Sequence, residues 1–149
     1  MGNVKTHLGQ NEMIMLVSTN TKSRKPVFAN PAYAHEAIDT LYRLQTLHPF
    51  FLFGFVIMPD HCHILLNVPP PETISVIMRQ FKSGVSHNLG IGPFWQERFH
   101  METPENSKAA LKYIHENPVK AGLVDSPERY KWSSASGLWD VTDLETWIE

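Results

Sequence analysis

The chain has 149 residues, 42% of them hydrophobic and 19% charged, with 4 Trp, 4 Tyr and 8 Phe; this excludes a disordered or coiled-coil composition and fits one ordinary domain. Its single cysteine, Cys62, excludes an internal disulfide, and no apolar run approaches the roughly 20 residues a bilayer requires. The formal net charge of −2 divides unevenly: residues 1–124 carry 11 Lys or Arg against 9 Asp or Glu, and residues 125–149 carry 2 against 6. The body is therefore mildly basic and the end acidic, far from the strongly basic footprint of a protein that relies on neutralising phosphates. With no charged and apolar leader at its start, the chain is expected in a reducing, cytoplasmic setting.

Glu12 to Ser18, an apolar run with Ile and Val, predicts a first strand. A polar loop bearing Lys22, Arg24 and Lys25 follows, and Asn30-Pro31 is an N-cap before a first-turn proline. Ala34, Ala37, Ile38, Leu41 and Leu44 then recur at helical spacing to about Leu47. Phe50 to Ile57 has the aromatic and β-branched content of a buried central strand. After a tight turn at Pro59-Asp60, His61 to Val68 returns antiparallel as a hairpin.

Ile74, Ile77, Met78, Phe81, Val85 and Leu89 mark a long amphipathic helix ending at Gly90, with Arg79, Lys82, Ser83 and Ser86 on its polar face. Gly92 to Met101 is expected to be the fourth strand. Thr103-Pro104-Glu105 predicts a helix start by cap, proline and acidic first turn, and Pro118 is expected to end that helix. The order β-α-β-β-α-β plus a helix predicts an α+β fold of ferredoxin-like, split-βαβ type. Its four-stranded antiparallel sheet carries two helices on one face. The other face is left for a partner, a further helix or a ligand. The expected organisation is one domain over residues 1–149, with a core of about 12–124 and an acidic extension from 125 to 149.

His61-Cys62-His63 is the tripeptide with the most chemistry. In a strand, residues two apart face the same way with Cα atoms about 6.6 Å apart, so both imidazoles project from one surface and can converge on one metal. On spacing alone they serve equally as polar residues of an exposed strand. Tyr113 and Asn117 lie four apart along the edge of the stripe formed by Ala110, Leu111 and Ile114. A helix laid over the open sheet face would bring Tyr113 to the histidines and Asn117 within reach as a third ligand. Glu116 and His100 compete for that place, because carboxylate and imidazole are stronger ligand types than an amide. His115 reads as solvated and His87 as surface. No G-x-x-x-x-G-K-[ST] run is present, so no nucleotide cofactor is expected.

Met58-Pro59-Asp60-His61-Cys62-His63-Ile64-Leu65 resembles the histidine-hydrophobe-histidine signature of the HUH nucleases, and more closely that of the single-tyrosine transposases of the insertion-sequence-200 type, including their REP-associated relatives. The resemblance continues in Phe94-Trp95-Gln96-Glu97-Arg98-Phe99, in the block from Tyr113-Ile114 through Asn117-Pro118-Val119-Lys120-Ala121-Gly122-Leu123-Val124, and in Tyr130-Lys131-Trp132-Ser133-Ser134. It implies a metal-dependent endonuclease and strand transferase that joins single-stranded or hairpin DNA to a tyrosine through a 5′-phosphate. Tyr113 is then the nucleophile, and His61, His63 and Asn117 are the metal ligands.

The metal so implied is Mg²⁺ or Mn²⁺, although paired imidazoles suit softer cations than Mg²⁺. A homodimer joined through sheet edges is implied too, with the tyrosine helix serving its own or the partner's site. The expected DNA contacts are Arg24, Lys25, Arg79, Lys82, Trp95, Arg98, Lys112 and Lys120, with Trp95 and Phe99 as stacking platforms for unpaired bases. The alternative is a domesticated REP-type protein that binds or nicks DNA and no longer transposes.

Overall fold

In the computed structural model, which describes residues 13–147, the first apolar run forms β1 (Ile14–Asn20). The expected start at Glu12 lies outside the described residues. Asn30 caps α1 (Pro31–Leu47) by accepting the Ala32 amide, and the first-turn proline falls where its missing N–H costs nothing. β2 (Phe51–Met58) and β3 (His61–Asn67) form the central hairpin, followed by α2 (Ile74–Leu89), which Gly90 ends in the left-handed conformation with φ 64°.

The sheet order is β2-β3-β1-β4 with every pair antiparallel, which is the ferredoxin-like arrangement. Alternation along the strands divides the core in two. Val17, Leu52, Phe55, Ile57, Cys62, Ile64 and Leu66 pack under α1 and α2, while Leu16, Phe53, Val56, Met58 and Leu65 face the other way.

The fourth strand is shorter than expected. β4 is only His100–Glu102, and residues 94–96 instead bond sideways to the loop after β1. The Lys22 amide donates to the Phe94 carbonyl at 2.6 Å and the Gln96 amide to the Asn20 carbonyl at 2.9 Å. This stretch pairs antiparallel with the end of β1 and Thr21 through an isolated bridge, with Phe94 and Trp95 buried in the core, and the ladder is interrupted before β4.

The next helix also differs at both ends. α3 (Ser107–Lys120) starts at an Asn106 cap, whose side chain accepts the Ala109 amide, so Thr103-Pro104-Glu105 is the approach and not the first turn. It also passes through Pro118. A proline in the last turn forfeits one N–H bond, and here the buried ring sits in a turn that the Ala121 amide closes on the Asn117 carbonyl at 3.0 Å. Lys120 thereby shares a helical face with Tyr113 and Asn117.

Of the three expected covers for the second face, a partner, a further helix or a ligand, the structure shows the helix, supplied by this chain. α3 lies on β2 and β3, and α4 (Leu144–Trp147) brings Leu144 and Trp147 against Phe53. Burying Leu144 contributes about 2 kcal/mol. Segment 130–142 runs beside the outer edge of β2: the Ile57 amide donates to the Trp132 carbonyl and the Thr142 amide to the Leu52 carbonyl, both at 2.8 Å. The Tyr130 hydroxyl donates to the Ile57 carbonyl at 2.7 Å. One sheet edge is thus occupied from within, leaving the short β4 as the free one.

α3 approaches β2 closely because position 54 has no side chain. A β-bulge near Phe53 turns Gly54 toward the helix, where a Cβ would stand inside van der Waals contact of Leu111 Cδ1 and 3.2 Å from Ser134 Oγ. Gly54→Val is expected to cost about 1–3 kcal/mol by forcing the helix outward, measured by urea denaturation with an unchanged slope.

Candidate active site

His61 and His63 project from β3 toward α3, while Cys62 between them is fully buried beneath α1 and α2. The two imidazole centroids are 4.7 Å apart at an interplanar angle of 79°. Each ring is fixed by a bond at Nδ1. His61 Nδ1 is 2.7 Å from Asp60 Oδ1, and His63 Nδ1 is 2.7 Å from Ser18 Oγ on the paired strand β1. Both Nε2 atoms are left for another partner, the usual orientation of metal-binding histidines.

Asp60 is held in turn by Arg24, whose Nε donates to Oδ2 at 3.0 Å, and Arg24 Nη2 lies 3.3 Å from His61 Nδ1. Burial raises the Asp60 pKa, but the bonds from Arg24 and His61 outweigh it and keep the carboxyl below its usual range. In the tautomer that donates Nδ1–H to Asp60, His61 carries its lone pair on Nε2. That lone pair faces Asn117 Oδ1 at 3.2 Å. Two acceptors at this distance repel unless a proton or a cation lies between them, so the donor set fits a bound cation: two imidazole nitrogens and an amide oxygen. Among the described residues no three of His, Cys, Asp and Glu gather for metal binding. Glu116 lies 3.9 Å from Lys112 on α3, whereas His100, 3.6 Å from Glu102 and opposite Ser18 in the sheet, lines the same hollow as His63 and Tyr113.

Tyr113 stands beside the imidazoles on the same chain. Its ring centroid is 5.5 Å from that of His63, and the residue is 43% exposed at the edge of the hollow lined by His63 and Ser18. Lys120 Nζ lies 5.9 Å from the Tyr113 ring centroid. Tyr113, Asn117 and Lys120 are thus one helical stripe over the histidines.

The expected DNA contacts separate into groups. Arg24 and Lys120 border the site, and Lys25 is exposed on the same loop as Arg24. Arg98 is exposed before β4 and Lys112 on α3, whereas Arg79 lies on α2, across the sheet from Tyr113. Lys82 is committed internally: its ammonium donates to the Gln96 and Glu97 carbonyls at 2.6 and 3.2 Å, and partial burial lowers its pKa. Trp95 does not offer a stacking face. It is 9% exposed, packed against Phe28, Phe81 and Phe94, with Nε1 donating to the Lys82 carbonyl. His115 is half-buried, its Nε2 2.8 Å from Ser134 Oγ, and burial lowers its pKa, so the expectation of a solvated ring is corrected.

Sequence reasoning missed Ser18, whose contact with His63 spans 45 residues and depends on strand register. Asp60 read as a turn residue; its place directly before His61 was the available signal.

Burial, then the nearby His61 and Arg24, lowers the His63 pKa from 6.5 to about 4. The unfolded chain therefore binds the proton more readily. The stabilisation is complete above pH 6.5 and is lost as pH falls toward 4, an effect of about 3 kcal/mol. NMR titration of the metal-free protein should place His63 near 4, and His63→Gln should flatten stability against pH over that range.

The chain matches the family model described as "Transposase IS200 like" over residues 10–117. Its fold matches the structure of a REP-associated tyrosine transposase bound to a REP hairpin, with a TM-score of 0.75 and 24% identity over 90% of each chain. It also matches a candidate transposase from Deinococcus radiodurans R1, with a TM-score of 0.56 and 21% identity over 71% of this chain and 90% of that one. No curated protein matches. The family match spans well over half of the chain and includes His61, His63, Tyr113 and Asn117, and this chain belongs to the IS200-like transposase family.

Proposed function

We propose that this protein cleaves and rejoins single-stranded DNA with Tyr113 as nucleophile and with His61, His63 and Asn117 as ligands of a divalent cation, Mn²⁺ or Mg²⁺. The observation that carries the reading is the gathering of Tyr113, both imidazoles and the Asn117 amide oxygen, 3.2 Å from His61 Nε2, on one patch between α3 and the sheet. The fold shared with a transposase bound to a REP hairpin supports hairpin-flanked ends as the substrate class.

A cation held by those three residues would supply positive charge to a non-bridging phosphate oxygen. The protein's own groups do the remainder. Tyr113 Oη forms a bond to phosphorus as the P–O3′ bond breaks, and the net proton transfer is from phenol to O3′. The product is a 5′-phosphotyrosine and a free 3′-OH, and the retained phosphodiester energy lets a 3′-OH reverse the step without ATP. Lys120, with Nζ 5.9 Å from the Tyr113 ring centroid, adds positive charge between the ring and the hollow beyond Asn117. Asp60 and Ser18 hold the imidazoles so that no ring must reorient. Because α3 lies over its own histidines, one chain contains all four groups. A homodimer formed by sheet pairing would use β4, since β2 is covered.

With Mn²⁺ and hairpin oligonucleotides from the flanks of its gene, the protein should form a denaturant-resistant DNA adduct. Tyr113→Phe should remove the adduct and lower cleavage by more than about 10³-fold while hairpin binding persists. Hairpin binding without an adduct in the unsubstituted protein would establish the DNA-binding alternative. Asp60→Asn should weaken Mn²⁺ binding about 10–100-fold by titration calorimetry, with Tyr113 and Asn117 unchanged.

A further inference from the structure

Two hollows flank the imidazole pair. One of about 540 Å³ lies under Tyr113 and His63 and has Glu102 and Glu105 in its wall, with no Lys or Arg. The other, about 410 Å³, lies beyond His61 and Asn117 and is lined by Arg24 and Lys120, with Pro26 and Leu123 as an apolar side. Its one carboxylate, Asp60, is already paired with Arg24. We propose that this second hollow holds the nucleotide whose O3′ departs, with Arg24 and Lys120 together gripping the phosphate on that nucleotide's 5′ side.

This assignment rests on Tyr113 being the nucleophile and deepens that reading. Displacement at phosphorus places the attacking and departing oxygens on opposite sides. The phenol enters from the Tyr113 hollow, so the departing O3′ lies toward Asn117 and Arg24. The charge distribution agrees, because the first hollow sets Glu102 and Glu105 against His100, whereas the second sets Arg24 and Lys120 against the single carboxylate of Asp60. The shape agrees as well: the volume falls within the usual range for a small ligand, and Leu123, 46% exposed, offers an uncovered apolar surface to a sugar or base.

The Arg24 loop is built at a conformational cost. Ser23 and Arg24 are both left-handed, with φ of 57° and 53°, although neither is glycine. Thr21 holds the turn, its hydroxyl 2.7 Å from the Lys25 carbonyl and 3.1 Å from the Asp60 carbonyl. Lys120 reaches the same hollow because α3 continues past Pro118. The two cations thus come from elements almost a hundred residues apart in sequence. A retained 3′-OH in this hollow stays beside the phosphotyrosine it must attack on rejoining.

The test uses a hairpin oligonucleotide whose cleavage position has been mapped with the unsubstituted protein. A neutral methylphosphonate replaces the phosphate either one nucleotide 5′ or one nucleotide 3′ of the scissile one. Binding is read by fluorescence anisotropy with the Tyr113→Phe protein in EDTA, so neither cleavage nor metal contributes. The 5′ replacement should weaken binding about tenfold and the 3′ replacement less than about twofold. Adding Arg24→Ala and Lys120→Ala should weaken binding of the unmodified oligonucleotide about tenfold and abolish the further effect of the 5′ replacement. Lys120→Ala alone, which leaves the Asp60 and His61 contacts intact, should reproduce about a threefold loss. A penalty on the 3′ side, or a 5′ penalty that persists without the two cations, overturns the assignment while the nucleophile stands. Failure to form any adduct overturns the nucleophile and the assignment together.

Discussion

The two-residue period of β3 is the constraint on which the rest of the molecule depends. Cys62, Ile64 and Leu66 must enter the core beneath α1 and α2, and that requirement turns His61, His63 and Leu65 to the opposite face. A slip of one residue would turn both imidazoles into the apolar core beneath α1 and α2 and away from Asn117. Register is fixed on both sides, by β2 through the hairpin and by β1 through the pairs that oppose Ser18 to His63 and Asn20 to His61. Core packing and site geometry are therefore set by the same hydrogen-bond ladder.

The second requirement is that α3 lie close to the sheet. Gly54 removes the side chain that would hold it off, and Ser134 bonds both the Phe55 backbone and His115 of the helix. The acidic extension therefore has a structural part. Its apolar residues Leu144 and Trp147 pack beside α3 and its backbone covers the β2 edge, while most of its carboxylates stay at the surface. This placement determines where Tyr113 and Asn117 stand, so residues without chemistry of their own position those that have it.

Net charge conceals how the charges are distributed. The whole chain carries −2, yet Arg24 and Lys120 border one side of the imidazole pair and Glu102 and Glu105 the other. Over distances comparable to the screening length of about 8–10 Å, that local arrangement acts on a phosphate more strongly than the sum does. Internal partners also select which cations remain available. Lys82 is held by two carbonyls, and Arg24 keeps about half of its side-chain surface exposed while anchoring Asp60.

The sequence by itself determined the elements whose signals are local. Asn30-Pro31 and Gly90 mark helix ends because caps act within a turn. The β2–β3 hairpin follows from two apolar runs around Pro59-Asp60, and the shared face of His61 and His63 follows from strand alternation. The histidine-hydrophobe-histidine segment at Met58–Leu65, followed by the ordered motifs after residue 94, pointed to the family. Tertiary structure decided what depends on distant partners. Residues 94–96 join the end of β1 by an isolated bridge, broken off from β4, while Trp95 packs among Phe28 and Phe81, and α3 runs through Pro118 because the last turn closes without that N–H. Ser18 reaches His63 through strand register, and of the covers the sequence left open for the second face, contacts with β2 and β3 select α3. Periodicity and caps report a few neighbouring residues, whereas these outcomes are set by contacts between segments far apart in the chain, which no local pattern encodes.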